Sequence, residues 1–159
     1  MKKFFMLLMG LMVSMAAMTS CDDDDKKDSL EDIENMIENG AKPSFDSKIN
    51  KSDNKIEGVL VCKVGGKEVY NVKMVAEFEM GQSPTSASGA PVKMCKSCVM
   101  TQTFATEAMA KEAYEEMKRE EGCSLKGKTI TVDMSRDFYG QEYDVVLAII
   151  TQTIESMKI

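Results

Sequence analysis

Residues 56–80 alternate between apolar and polar side chains, and this pattern constrains the fold more than any other feature of the sequence. Successive side chains of a β-strand point to opposite faces of a sheet, so a period of two predicts strands with one buried face. The apolar row of the second half is Tyr70, Val72, Met74, Ala76, Phe78 and Met80, and the opposite row is mostly Asn71, Lys73, Glu77 and Glu79. Gly65 and Gly66 supply a reversal between the two halves, so the segment predicts a β-hairpin.

The length of the hairpin loop decides which residues lie opposite each other. A two-residue glycine loop would place Leu60 opposite Asn71, so that an apolar row would face a polar one. A three-residue loop that begins at Val64 instead places Leu60 opposite Tyr70. Because a shift of one residue moves every side chain of a strand to the other face, burial favours the three-residue loop.

The rest of the chain predicts three helices and two further strands around this hairpin. Apolar residues at helical spacing predict helices at 29–39, at 106–121 with Thr106 as the N-cap and Gly122 as the stop, and at 143–157. Alternation predicts strands at 99–104 and 129–134, whereas residues 41–53 are expected to form a connection and residues 81–93 a long, mobile surface loop. The element order is α-β-β-β-α-β-α, which predicts a single α+β domain at 29–159 with a mixed sheet of about four strands and helices packed against it.

The first twenty residues predict a signal peptide. Lys2 and Lys3 form a basic start, residues 4–17 form an apolar run, and small polar residues precede Cys21. An apolar run of this length is shorter than the roughly 20 residues that a transmembrane helix needs, so cleavage is expected. The sequence Met18-Thr19-Ser20-Cys21 resembles a lipobox, with Met18 in the place of the usual leucine. This resemblance implies that Cys21 receives a diacylglycerol and becomes the first residue of the mature protein.

A run of four carboxylates, Asp22, Asp23, Asp24 and Asp25, follows the cysteine directly. Adjacent like charges repel one another and resist burial, so residues 21–28 are expected to form a solvated tether. The run resembles the acidic export signal of surface lipoproteins of the Bacteroidetes. Residues 104–122 are also similar to the second half of many small bacterial lipoproteins of unassigned function. The lipobox and the acidic run together imply a protein anchored through its lipid to the outer membrane and exposed at the cell surface, whereas the similarity of residues 104–122 is compositional and implies no active site.

Charge excludes some classes of partner. Without its first 20 residues the chain has a net charge of −8, and no local basic patch is evident along the sequence. Such a chain repels nucleic acids and anionic lipid headgroups, so no nucleic-acid partner is expected. The predicted middle helix has an acidic face that is typical of a solvated helix surface. Its residues are Glu112, Glu115, Glu116, Glu120 and Glu121.

The sequence offers little for catalysis. The chain contains no histidine, and none of the sequence motifs of nucleotide binding or serine hydrolysis occurs in it. We therefore expect neither an enzyme nor a cofactor, with a carboxylate-only or Ser-Lys site as the remaining catalytic alternative. The expected function is that of a non-enzymatic, lipid-anchored binding or structural accessory protein, with another envelope protein as a possible partner.

Four cysteines remain after Cys21: Cys62, Cys95, Cys98 and Cys123. An even number in an exported chain predicts disulfides, although the sequence does not choose among the three possible pairings. Cys95 and Cys98 also have the C-x-x-C spacing of thiol oxidoreductases, but a strand rather than a helix is predicted to follow them. They remain the basis of an alternative function, thiol-redox chemistry or soft-metal binding.

A second interpretation of the same segment is a soft-metal site. Met94, Cys95, Cys98 and Met100 are four sulfur donors within seven positions, a set suited to Cu(I). Methionine is frequent throughout the chain, however, and many methionines occupy predicted core positions, so its presence beside Cys95 is weak evidence. A structural zinc site formed by the four cysteines is a further alternative. No metal is therefore assigned from the sequence.

Overall fold

The computed structural model describes residues 32–33, 35–82, 89–119 and 121–158 and contains one six-stranded sheet. The strands are β1 (Pro43–Ser52), β2 (Lys55–Val64), β3 (Lys67–Gln82), β4 (Pro91–Phe104), β5 (Cys123–Lys126) and β6 (Thr129–Asp133). They lie side by side in the order β1-β2-β3-β4-β6-β5, and every neighbouring pair is antiparallel. The expected α+β fold with a mixed sheet of about four strands is therefore wrong.

Three named helices accompany the sheet: α1 (Glu107–Met117), α2 (Ser135–Phe138) and α3 (Tyr143–Ser156). Residues 32–33 and 35–38 are also helical, and a turn at Asn39 and Gly40 ends them, as the sequence predicts. The observed order differs from the expected one because β1, β5 and the short α2 were not predicted. All three are short or largely polar, so their periodicity is weak.

β1 occupies a stretch that was expected to be a connection. It is an edge strand, hydrogen-bonded only to β2, and its residues are mostly exposed. Phe45 and Ile49 are its two apolar residues that pack against the core. Pro43 stands at its first position, where a proline is compatible with an edge strand. Two apolar residues among many polar ones do not produce a recognisable alternation, which explains why this strand was not predicted from the sequence.

The predicted loop at 81–93 is shorter in the structure. β3 continues to Gln82 and β4 begins at Pro91, so both ends of the expected loop are paired strands. The register shifts between Glu77 and Phe78 because β4 contains one extra residue at this point. This residue forms a β-bulge within β4. The strand thus includes the cysteine segment, which the sequence had placed before the strand.

The register of the β2–β3 hairpin also differs from the expected one. Val64 lies opposite Lys67, so the loop has two residues, and both of its glycines have positive φ (57° and 83°) as a type I′ turn requires. A bulge between Cys62 and Lys63 then shifts the register, and Leu60 lies opposite Val72. The expected pairing with Tyr70 is wrong by two residues. The bulge restores apolar-to-apolar pairing, which the sequence argument had assigned to a longer loop.

The helices lie on one face of the sheet and bury it. α3 contacts β1 to β4, and α1 contacts β4, β5 and β6. Gly58 of β2 allows this close packing, since a Cβ atom there would lie 2.7 Å from Cγ2 of Ile150 and 3.0 Å from Cγ1 of Ile154. We call this the covered face. Ile56, Leu60 and Val72 are among its fully buried residues.

Two of the predicted helices are confirmed in their essential features. The Thr106 side chain accepts a hydrogen bond from the backbone N–H of Met109 (3.2 Å), as expected of an N-cap. α1 ends at Met117, four residues before the expected end. α3 buries Val146, Ile150 and Ile154, which are positions of the predicted apolar stripe.

Candidate functional site

All four cysteines of the domain are free thiols, and each belongs to a strand. Cys62, Cys95 and Cys98 are buried on the covered face, and Cys123 is half-buried on β5, at the far edge of the sheet. No disulfide joins any of these residues in the structure. The sequence-based expectation of disulfides in the exported protein therefore stays a prediction.

Cys95 and Cys98 are part of the sheet core. Their exposed fractions are 1% and 0%, and the strand β4 passes through both of them. The Sγ–H of Cys95 donates a hydrogen bond to the carbonyl oxygen of Ser97 (3.3 Å). Burial raises the pKa of Cys95, and it raises the pKa of Cys98 to about 12 with a further contribution from the nearby Cys95. Both side chains are thus neutral thiols at neutral pH, the opposite of an activated nucleophile.

The backbone of Cys95 and Cys98 is also hydrogen-bonded along the edge of β4 that does not pair with β3. The N–H of Cys98 donates to Oγ of Ser135 (3.1 Å), and the N–H of Met134 donates to the carbonyl oxygen of Cys98 (2.9 Å). Cys95 pairs in the same way with the segment that follows α2, through its N–H to the carbonyl oxygen of Gln141 (2.8 Å) and its own carbonyl oxygen to the N–H of Gly140 (2.9 Å). The segment is held on both sides, so a disulfide-exchange partner would have to open the fold to reach it.

The four sulfur donors of the suggested copper set do not share one face. Met94 lies opposite Glu79 of β3, and its Cγ would be 2.9 Å from a Cβ atom placed on Gly81. Its side chain therefore lies on the face of the sheet opposite to that of Cys95 and Cys98. Met100 is 1% exposed and points into the core with the two cysteines. Among the described residues there is no group of three or more His, Cys, Asp or Glu side chains placed to hold a metal ion. The strand geometry therefore separates Met94 from the other three donors.

The two remaining cysteines have different surroundings. Cys62 lies opposite Tyr70, and burial raises its pKa to about 11 although a hydrogen bond with Tyr70 acts in the other direction. Cys123 lies opposite Val132, at the far edge of the sheet. It is the least buried thiol of the domain and the first that a reagent would reach.

The acidic face of α1 is a surface of separate carboxylates. Glu115 pairs with Lys118, one turn further along the helix. The pKa of Glu112 is raised, mainly by partial burial and also by Glu116. These contacts agree with the expectation of a solvated helix face.

The second face of the sheet is covered by no helix of the described chain, and we call it the open face. One row across it runs Lys48, Val59, Lys73, Thr101, Thr131 and Ser124, and the next row runs Asp46, Val61, Asn71, Thr103, Thr129 and Lys126. Glu57 accepts from Lys73 (3.0 Å) and lies 3.4 Å from Lys55, and the Lys73 contact is the main reason for its lowered pKa. The sequence had indicated the polar row of β3 on this face, but not its continuation across β4 and β6. The signal was present in the threonines at alternate positions of 101–103 and 129–131.

The expected lipidation and export residues, Cys21 and Asp22 to Asp25, lie outside the described residues, as does the predicted signal peptide. In the part of the chain that the structure describes, no helix has the length and apolar character to cross a membrane. Comparisons of the chain with protein-family models, with curated proteins and with solved structures found no match.

Proposed function

We propose that this chain is an exported lipoprotein, anchored through Cys21 to the outer membrane and exposed at the cell surface, with a non-enzymatic binding or structural role in the envelope. The observation that carries the proposal is the position of Cys21, directly after an apolar run and the small residues Thr19 and Ser20. The acidic run Asp22 to Asp25 supports surface exposure by its resemblance to an export signal.

The chemistry of the thiols supports a non-enzymatic role. The C-x-x-C pair is the most reactive-looking motif of the sequence, yet both of its side chains are buried and neutral. Thiol exchange requires an accessible thiolate, usually stabilised by a helix N-terminus or a neighbouring cation. The alternative of a thiol-redox or soft-metal protein thus rests on a pair that the core encloses.

Lipid labelling of the expressed protein tests this proposal. The unaltered chain should incorporate labelled fatty acid and begin at Cys21, whereas Cys21→Ser should lose the label and remain an unprocessed precursor. Replacement of Asp22 to Asp25 by alanine should preserve the label but reduce the digestion of the protein by protease added to whole cells. A protein recovered without lipid and with a different mature N-terminus would contradict the proposed anchor, and unchanged digestion would contradict the export role of the acidic run.

A further inference from the structure

The outer edge of β1 is the longer of the two edges of the sheet. The strand has ten residues and is hydrogen-bonded only to β2 in the described chain, whereas β5 at the other edge has four. Alternate residues of an edge strand direct their N–H and C=O groups away from the sheet. Apart from the pairing with β2, the one described hydrogen bond to the β1 backbone joins the Tyr143 hydroxyl to the carbonyl oxygen of Ser52 (3.1 Å), at the end of the strand. The edge can therefore accept a further strand.

The side chains of β1 are complementary to themselves about Ser47. Asp46 and Lys48 stand on either side of it, and both are exposed on the open face. Phe45 and Ile49 stand two residues away on either side, half-buried on the covered face. In an antiparallel pair of two β1 strands with Ser47 opposite its counterpart, each Asp46 lies opposite a Lys48. Each Phe45 then lies opposite an Ile49, so both faces of the sheet continue across the pair.

The two adjacent registers lack this complementarity. A pairing centred on Asp46 would place two carboxylates opposite each other, and a pairing centred on Lys48 would place two ammonium groups opposite each other. Like charges directly opposite each other destabilise a strand pair, whereas opposite charges stabilise it. The charges of the strand therefore select the pairing that is centred on Ser47.

The groups near this centre can form the new contacts. Only Oδ2 of Asp46 contacts Lys63 (2.7 Å), and the Asp46 side chain is 70% exposed. Lys48 makes no ion pair with any other described residue. Ser47 donates to Oε1 of Glu155 (3.4 Å), and both carboxylate oxygens of Glu155 lie 2.7 Å from the ammonium group of Lys158. Because this lysine neutralises Glu155, two such carboxylates can approach each other across the centre.

We propose that two copies of this chain associate through the outer edges of β1, in an antiparallel pair centred on Ser47 that joins their sheets into one. The interface is isologous, so each Asp46–Lys48 and Phe45–Ile49 contact occurs twice about a twofold axis. Backbone hydrogen bonds supply the attraction, and the side-chain pairs set the register. The pairing needs only the described domain and does not rest on the lipid anchor.

Cysteine crosslinking in cells that express the full-length chain with Cys123→Ser tests the register. After mild oxidation, Ser47→Cys should give a disulfide-linked dimer, because the Cα atoms of directly opposite residues are about 5.5 Å apart. Ser44→Cys and Ser52→Cys on the same strand are matched controls, about 20 Å and about 34 Å from their counterparts at roughly 3.4 Å per residue. On non-reducing gels, both controls should remain at the dimer level of the Cys123→Ser chain alone, at least about tenfold below Ser47→Cys.

Charge reversal tests the complementarity. Two copies of the full-length chain with different epitope tags are co-expressed, and the fraction of one that co-purifies with the other is measured. Asp46→Lys in both copies, or Lys48→Asp in both, should lower this fraction about tenfold, because two pairs of like charges then lie opposite each other. Asp46→Lys in one copy and Lys48→Asp in the other should restore it. Asp137→Lys and Lys126→Asp reverse exposed charges away from β1 and should leave it unchanged.

The outcomes that would overturn the pairing are distinct. Absence of a Ser47→Cys dimer, or equal dimer formation by Ser44→Cys, would exclude this register. Failure of the complementary reversal to restore co-purification, with circular dichroism showing that both variants are folded, would exclude the proposed charge contacts. A crosslink from Ser47→Cys to a different protein, or to another segment of the same chain, would show that something other than a second copy covers the edge. Ser47→Cys changes no charge, so its result decides the proposal even where a charge variant does not fold.

Discussion

The two faces of the sheet share one backbone but differ in what covers them. On the covered face, Ile56, Leu60 and Val72 are 0% exposed, and α3 packs against the strands that carry them. On the open face, Val59 and Val75 come from the same two strands and remain half-buried among lysine, threonine and glutamate side chains. An antiparallel sheet tolerates one solvated face in this way. The difference teaches that the alternation sorts residues between faces, whereas the helices determine which face stabilises the fold.

The largest expected effect belongs to the contact between α3 and the covered face. Ile150→Ala removes a fully buried side chain that packs over Gly58, and we expect a loss of about 2–5 kcal/mol in the free energy of unfolding. Val145 of the same helix is 45% exposed, so Val145→Ala should change this free energy by no more than about 0.5 kcal/mol. Urea denaturation measures both. Similar losses in the two variants would mean that α3 does not cover the sheet as described.

A pair of valines on β3 gives a smaller and more direct comparison of the two faces. Val72→Ala should cost about 2 kcal/mol of unfolding free energy, because two buried methyl groups are removed from a packed core. Val75→Ala, on the open face of the same strand, should cost less than about 1 kcal/mol. Denaturation of the two variants in the same buffer tests this order. A reversed order would show that another surface covers the open face in solution.

Thiol chemistry gives the comparison that affects stability least. Cys62, Cys95 and Cys98 should react with a thiol reagent at pH 8 more than about a thousandfold slower than a cysteine introduced on the open face by Thr101→Cys, since they require an opening of the fold. Peptide mapping after timed labelling measures each site. Rapid labelling of Cys95 and Cys98 in the native protein would contradict this burial and support the alternative of an accessible thiol pair that takes part in redox exchange.

The same burial predicts a pH dependence. The pKa of Cys62 is raised from 9.0 to about 11 and that of Cys98 from 9.0 to about 12, so the folded chain keeps protons that the unfolded chain loses. The contribution of these thiols to stability is complete below pH 9 and declines as the pH rises toward 11 and 12. Cys98→Ser should show a smaller fall in stability between pH 8 and pH 10 than the unaltered protein.

The cysteine segment shows how far sequence reasoning reached into the candidate site. The absence of a helix after Cys98 was predicted from its neighbours, and the structure places both cysteines inside β4. Their common orientation was not predictable, because residues three apart in a regular strand point to opposite faces. The extra residue of the bulge between them turns both side chains inward. A bulge depends on pairing with β3, about which the local sequence contains no information.

The sequence by itself determined the features that arise within single elements. Local backbone geometry sets the spacing of apolar and capping residues within a strand, a turn or a helix. It therefore accounts for the alternation at 56–80, the reversal at Gly65 and Gly66, the cap at Thr106 and the buried stripe of α3. Only the tertiary structure decided that the polar stretch Pro43–Ser52 is an edge strand, that bulges shift both hairpin registers, and that Cys95 and Cys98 share one face of the sheet. These features depend on contacts between residues far apart in the chain, whose free energies have no counterpart in the local pattern of side chains.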